Sequence, residues 1–176
     1  SVTIVASADL FTSADVGRLI RFREIVEVQH DAWAASTNYD QNDLVRHNGN
    51  VYKKTDSGTD ASGSSPPVHL SGSETYGDIT WQFQHSGSGF VKITAFTNAT
   101  TVTATFKNAN GVLPASVVGS SNASTLWSLG AFDGDQGFPR AVAFYEERLY
   151  FAGTTGKPQS IFGSVSADFE NHTPGV

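Results

Sequence analysis

The chain of 176 residues contains no cysteine. Disulfides and thiolate metal sites are therefore excluded. Methionine is absent too, even at position 1. Ser1 is accordingly expected to be a processed end or the start of an excised fragment. No apolar run approaches the length of a membrane span, and "SVTIVASADL" lacks the basic and apolar regions of a signal peptide. Basic residues are few: 11 Lys and Arg against 17 Asp and Glu leave a net charge of -6. They cluster nowhere beyond Lys53-Lys54 and the spaced Arg18, Arg21 and Arg23. That argues against a protein that grips nucleic acid through a basic patch.

What is present is Gly, Ser, Thr, Val and Phe, the composition of short strands and many turns. An all-β fold is expected. "SVTIVA" alternates and reads as a strand. In "FTSADVGRL" the Thr12 and Asp15 spacing of a capping box, with Gly17 to end it, predicts a single helical turn. "LIRFREIVEV" reads as one long strand, with Ile20, Phe22, Val26 and Val28 on one face and Glu24 the exception on it. "GFVKITAFTNATTVTATF" is a hairpin. It would turn Val91, Ile93 and Ala95 to the same core as Val102, Ala104 and Phe106. "TLWSLGAF" is a further strand. "AVAFYEERLYFAGT" is strand, tight turn at Glu146-Glu147, strand. "PQSIF" begins another, and the chain closes on a turn-like "TPGV".

Residues 31–88 read as a separate β-module inserted at the tip of a sheet connection, with Gly and Ser marking its exit. Its interior, "DSGTDASGSSPPVHLSGSETYGD", is expected to be an irregular surface loop. A discontinuous host domain of residues 1–30 and 89–132, sandwich- or barrel-like, would carry it. Residues 133–176 look like the opening strands of a larger domain.

Catalytic constellations are not found, and no catalytic residue, metal site or cofactor is assigned. "GTTGKPQS" has the Gly156-Lys157 pair of a phosphate loop, but Pro158 replaces the hydroxyl residue and Phe151 the first glycine. "DGDQG" at Asp133 to Gly137 opens like a calcium loop and lacks the closing carboxylate, because Phe144 stands there. His30 and His85 sit at the two mouths of the insert, where a metal could join them with Asp31; a polar rim is the simpler reading. Asp40 with Asp43, and Glu146 with Glu147, read as turn residues. The aromatic residues Trp33, Tyr39, Tyr52, Tyr76 and Trp81 have two readings. They form the core of a module whose aliphatics are only Leu44, Val45, Val51, Val68, Leu70 and Ile79, or they form a sugar-stacking platform. The scarcity of aliphatics favours the core.

Two resemblances add to this reading. Trp33, Tyr39, Asn42-Asp43-Leu44-Val45, Gly49-Asn50-Val51-Tyr52 and the closing Trp81 resemble the pattern of small chitin- and cellulose-binding modules. That family carries its stacking rings just after the second tyrosine motif, where this chain has "KKTDSG", Lys53 to Gly58. The resemblance implies a scaffold role for the matched positions. As a binding module, the chain would take host-surface glycans on Trp33, Tyr39, Tyr52, Tyr76 and Trp81, with at least two coplanar exposed rings. The second resemblance spans almost the whole chain. "ADLFTSADVGRLIRFRE", "HSGSGFVKITAFTNATTVTATF", "LWSLGAF" and "FPRAVAFYEERLYFAGTTGKPQSIFGSVSADFENHTPG" look like bacteriophage tail proteins of the nozzle or tail-tubular family of short-tailed phages. It implies a virion protein made in the bacterial host cytoplasm, assembled as a ring of identical subunits beside other tail proteins. DNA would pass through without specific binding, and residues 133–176 would open a β-propeller-like domain.

Overall fold

Short alternating segments make most of the regular secondary structure strand. The computed structural model describes residues 1–107, 111–169 and 172. Strand makes up 43% of it and helix 6%, so the fold is all-β; none of its sheets closes into a barrel. The turn-like "TPGV" lies outside the described residues.

Strand β1 (Val2–Val5) precedes a short 3-10 turn at Ser13–Asp15, where the helical turn was expected. The Asp15 carboxylate accepts the Thr12 N–H at 2.7 Å, which ties the start of that turn. β2 (Leu19–Arg23) then stops short of the predicted long strand, and α1 (Val26–Gln29) takes its second half. The reason is partnership. Arg23 lies opposite Ser88, where the neighbouring strand begins. One more bond crosses, from the Glu24 N–H to the Gly87 carbonyl at 3.0 Å; from Val28 onward the backbone closes its own bonds, His30 N–H to the Val26 carbonyl among them. Val26 is buried and Val28 exposed, which breaks the shared face that alternation had assigned them.

The following stretch carries β3 (Asp31–Ala32), β4 (Asn38–Tyr39), β5 (Leu44–His47), β6 (Asn50–Lys54), β7 (Asp60–Ala61), β8 (Ser73–Tyr76) and β9 (Ile79–His85). β7 and β8 fall in the segment expected to be irregular. β5 and β6 are joined by Asn48 (φ 49°) and Gly49 (φ 75°), a two-residue turn with both residues left-handed. Asn-Gly adopts this conformation readily, and its twist matches the strands it joins. The sheet order is β3-β5-β6-β9-β8, with β4 and β7 paired separately. β10 (Ser88–Asn98) and β11 (Thr101–Phe106) form the predicted hairpin. Val91, Ile93, Val102 and Ala104 are buried as expected, whereas Ala95 and Phe106 are exposed. β12 (Trp127–Leu129), β13 (Ala141–Tyr145), β14 (Arg148–Ala152) and β15 (Ile161–Gly163) complete the set.

The chain divides into two compact units. The first comprises Ser1–Val2, Leu19–Lys92 and Thr105–Leu129. In it β2 is flanked by β12 and by the opening residues of β10, and the β3-to-β9 sheets follow. Gly89 lets two segments meet: a Cβ there would stand 2.9 Å from the Val112 carbonyl and 3.1 Å from Leu113 Cα. The second unit comprises Thr3–Arg18, Ile93–Ala104 and Gly130–Val176. Leu10 and Phe11 N–H groups both reach the Ala99 carbonyl at the tip of the hairpin. Arg18 joins Asp15 (2.7 Å) to Asp133 (3.1 Å). β13, β14 and β15 form an antiparallel sheet, against which Phe132 sets its ring edge-on to Phe151 and Phe162.

Candidate functional site

The aromatic residues singled out by sequence are spent largely on packing. Tyr39, Tyr52 and Trp81 are buried with Val45 and Ile79 in one cluster. Trp33 and Tyr76 are half-buried and pack against it, as does Phe83, which sequence reasoning did not single out. Tyr39 meets Trp81 edge-on at 5.2 Å, and Tyr52 meets Phe83 at 5.9 Å. These T-shaped contacts suit the ring quadrupoles. The hydroxyls find partners as well. Tyr39 accepts the Ala34 N–H at 2.8 Å, and Tyr52 donates to the His69 carbonyl at 3.0 Å. Tyr76 stacks its face on His69, and Trp33 meets His47 edge-on. None of the five is fully exposed.

The segment "KKTDSG" has a different role from ligand stacking. Lys54 is wholly buried. Its ammonium pairs with Asp60 at 2.8 Å and donates to the Asp56 and Gly58 carbonyls at 3.0 and 3.1 Å. The loop winds around this charge, so a cation organises the place where that family carries its rings.

The other motifs resolve into turns. Asp133 Oδ1 accepts the N–H groups of Asp135 and Gln136, while Oδ2 faces Arg18. The calcium-like opening is thus a turn closed by an ion pair. Thr154 Oγ1 accepts the Lys157 N–H, which makes "GTTGKPQS" a side-chain-capped turn as well.

Among the described residues one polar cluster remains, within the first unit. His30, at the C-terminal end of α1, and His85, the last residue of β9, both turn to Glu24, which follows β2. His30 Nε2 lies 2.8 Å and His85 Nε2 3.4 Å from the same oxygen, Glu24 Oε1. Ser116 Oγ donates to the other carboxylate oxygen at 3.1 Å. The donor atoms of Glu24, His30 and His85 all lie within 4.8 Å of one another. Glu24 and His85 are buried. The Gly87 N–H donates to His85 Nδ1 at 3.2 Å, which orients the ring, and Arg46 Nε donates to the His30 carbonyl at 3.0 Å. Burial pushes the His85 imidazole below its ordinary 6.5; the Glu24 carboxylate pulls the other way and His30 adds to the lowering. A pocket of about 390 Å3 opens beside the cluster, lined by Glu24, His30, Ser116, Gln29, Asp31 and Asn122.

Sequence reasoning placed His30 and His85 together at the mouths of the insert and named Asp31 as the carboxylate. Asp31 lines the pocket, but Glu24 is the carboxylate that meets the rings. The signal for it was available. Glu24 is the one charged residue on the apolar face read into "LIRFREIVEV", and a buried carboxylate needs partners. Ser116 carried no such signal.

No protein-family model matches the chain, and a search of curated proteins returns no match.

Proposed function

We propose that this chain is a structural component of a bacteriophage tail, part of a nozzle- or tail-tube-like conduit for DNA ejection. It acts in the virion through assembly rather than catalysis. Identical subunits in a ring and neighbouring tail proteins are its partners, and residues 133–176 open a β-propeller-like domain. The observation that carries the assembly reading is the β13–β15 sheet. Val142, Phe144, Tyr145 and Ile161 on it are all exposed, Phe144 by 69% and Ile161 by 71%. By the register of the ladder Val142 and Phe144 point to one face and Tyr145 and Ile161 to the other. Each face thus leaves large apolar side chains open, and such a surface is one that another protein segment covers. The phage assignment itself rests on the segment resemblance in the sequence.

The alternative, a glycan-binding module, ranks lower because Tyr39, Tyr52 and Trp81 are buried and Trp33 and Tyr76 pack on their cluster. Stacking on sugar needs a ring face left open to solvent.

Sedimentation analysis and negative-stain imaging of the full chain test the proposal. Concentration-dependent association into closed rings is expected. Val142→Lys with Phe144→Lys should abolish it while circular dichroism stays unchanged. A monomer at all concentrations, or rings indifferent to these substitutions, would count against assembly through the face that Val142 and Phe144 share.

A further inference from the structure

We propose that Glu24, His30 and His85 bind one divalent transition-metal ion of the zinc class, tying together the chain crossings at the two ends of residues 31–88. Two imidazole nitrogens and one carboxylate oxygen form a donor set suited to zinc rather than to calcium or magnesium, which take oxygen ligands. The spacing fits. With metal–ligand distances of about 2.0–2.1 Å, the donors of a tetrahedral site stand roughly 3.3–3.4 Å apart. His85 Nε2 is already 3.4 Å from Glu24 Oε1, and His30 Nε2 at 2.8 Å needs a small outward movement. The third edge lies within 4.8 Å and closes by side-chain rotation.

The surroundings supply what a metal site needs beyond its ligands. Ser116 holds the second oxygen of Glu24 and so fixes the carboxylate. The adjoining pocket leaves space for a water in the fourth position. A buried carboxylate among imidazoles also gains from a fixed positive charge. One contact must give way. Nε2 of His85 can ligate only if its proton sits on Nδ1, which now accepts the Gly87 N–H. Gly87 has φ 73°, and a glycine, having no Cβ, can reach the other backbone conformations that turning this peptide needs. The ligands come from three separate elements, so the ion would close the module's two stems. This inference stands apart from the assembly reading and does not need it.

The test is titration of zinc into the untagged, chelator-treated full chain, followed by calorimetry and by thermal unfolding. One ion per chain and a raised melting temperature are expected. His30→Gln and His85→Gln should each weaken binding at least about tenfold, and Ser116→Ala by about tenfold, because the Glu24 carboxylate loses the hydroxyl that holds it. His47→Gln should leave it unaltered. Cobalt provides a readout that needs no variant: a four-coordinate visible spectrum is expected from the native chain. An octahedral spectrum, no saturable zinc binding, or binding unchanged in both histidine variants would overturn the site. In that case the cluster is a hydrogen-bonded Glu–His network and nothing more.

Discussion

At the scale of single residues, the informative side chains are polar ones placed where apolar ones were expected. Lys54 is the clearest. Its aliphatic stem is fully buried while its ammonium holds Asp60 and two carbonyls of the following loop. Lys54→Met keeps the bulk and removes the charge. The two carbonyls then lose their donor, and Asp60, about a third exposed, falls back on solvent. A loss of about 2–3 kcal/mol in urea unfolding is expected, below the range for a fully buried pair because Asp60 is partly hydrated. A loss under about 0.5 kcal/mol, the level of ordinary surface changes, would mean that the ammonium does not organise this loop. Residue identity alone made Lys53-Lys54 look like a departure from a ligand-binding pattern. Contacts turn Lys54 into a scaffold residue, because burial of a charge is known only once its partners are located.

Among the elements, the two tight turns make a useful pair. Asn48-Gly49 and Glu146-Glu147 both hold two successive residues at positive φ. Asn-Gly does so at little cost, whereas a non-glycine residue in that region costs roughly 1–2 kcal/mol. Replacing Glu146-Glu147 by Asn-Gly should therefore stabilise the β13–β14 hairpin. A gain of about 0.5–1.5 kcal/mol is expected, reduced from the full figure by the extra freedom of glycine when unfolded. Thermal unfolding measures it, and a lower melting temperature would show that the Glu147 side chain, 3.5 Å from Ser166 Oγ, contributes more than its backbone costs. Elements were legible wherever pattern and partner agreed. The hairpins at 88–106 and 141–152 follow from alternation around a polar turn. The failure at Val26–Gln29 has the opposite cause. Val and Ile there fit a strand, but β10 begins only at Ser88, opposite Arg23, and offers them no edge.

On the scale of the whole molecule, charge carries the prediction. A chain of net charge -6 whose basic residues are dispersed cannot neutralise many phosphates at once. No measurable binding to duplex DNA is expected at physiological salt, as the proposed conduit role would require. Submicromolar, salt-dependent binding in a fluorescence-anisotropy titration would contradict it.

The amino-acid sequence by itself determined the fold class, the hairpins at 88–106 and 141–152, the Glu146-Glu147 turn and the sign of the net charge. Each of these depends on neighbours in the chain: a period of two, a turn dipeptide, a sum of charges. The tertiary structure decided which polar groups meet. Glu24 and Ser116 are 92 residues apart, yet their side chains hydrogen-bond beside His30 and His85. It also decided that Trp81 and Tyr52 face inward, and that Lys54 is enclosed. Convergence of this kind depends on register and on which strand lies next to which. Local pattern contains neither, because the distance between two side chains follows the path of the whole backbone between them.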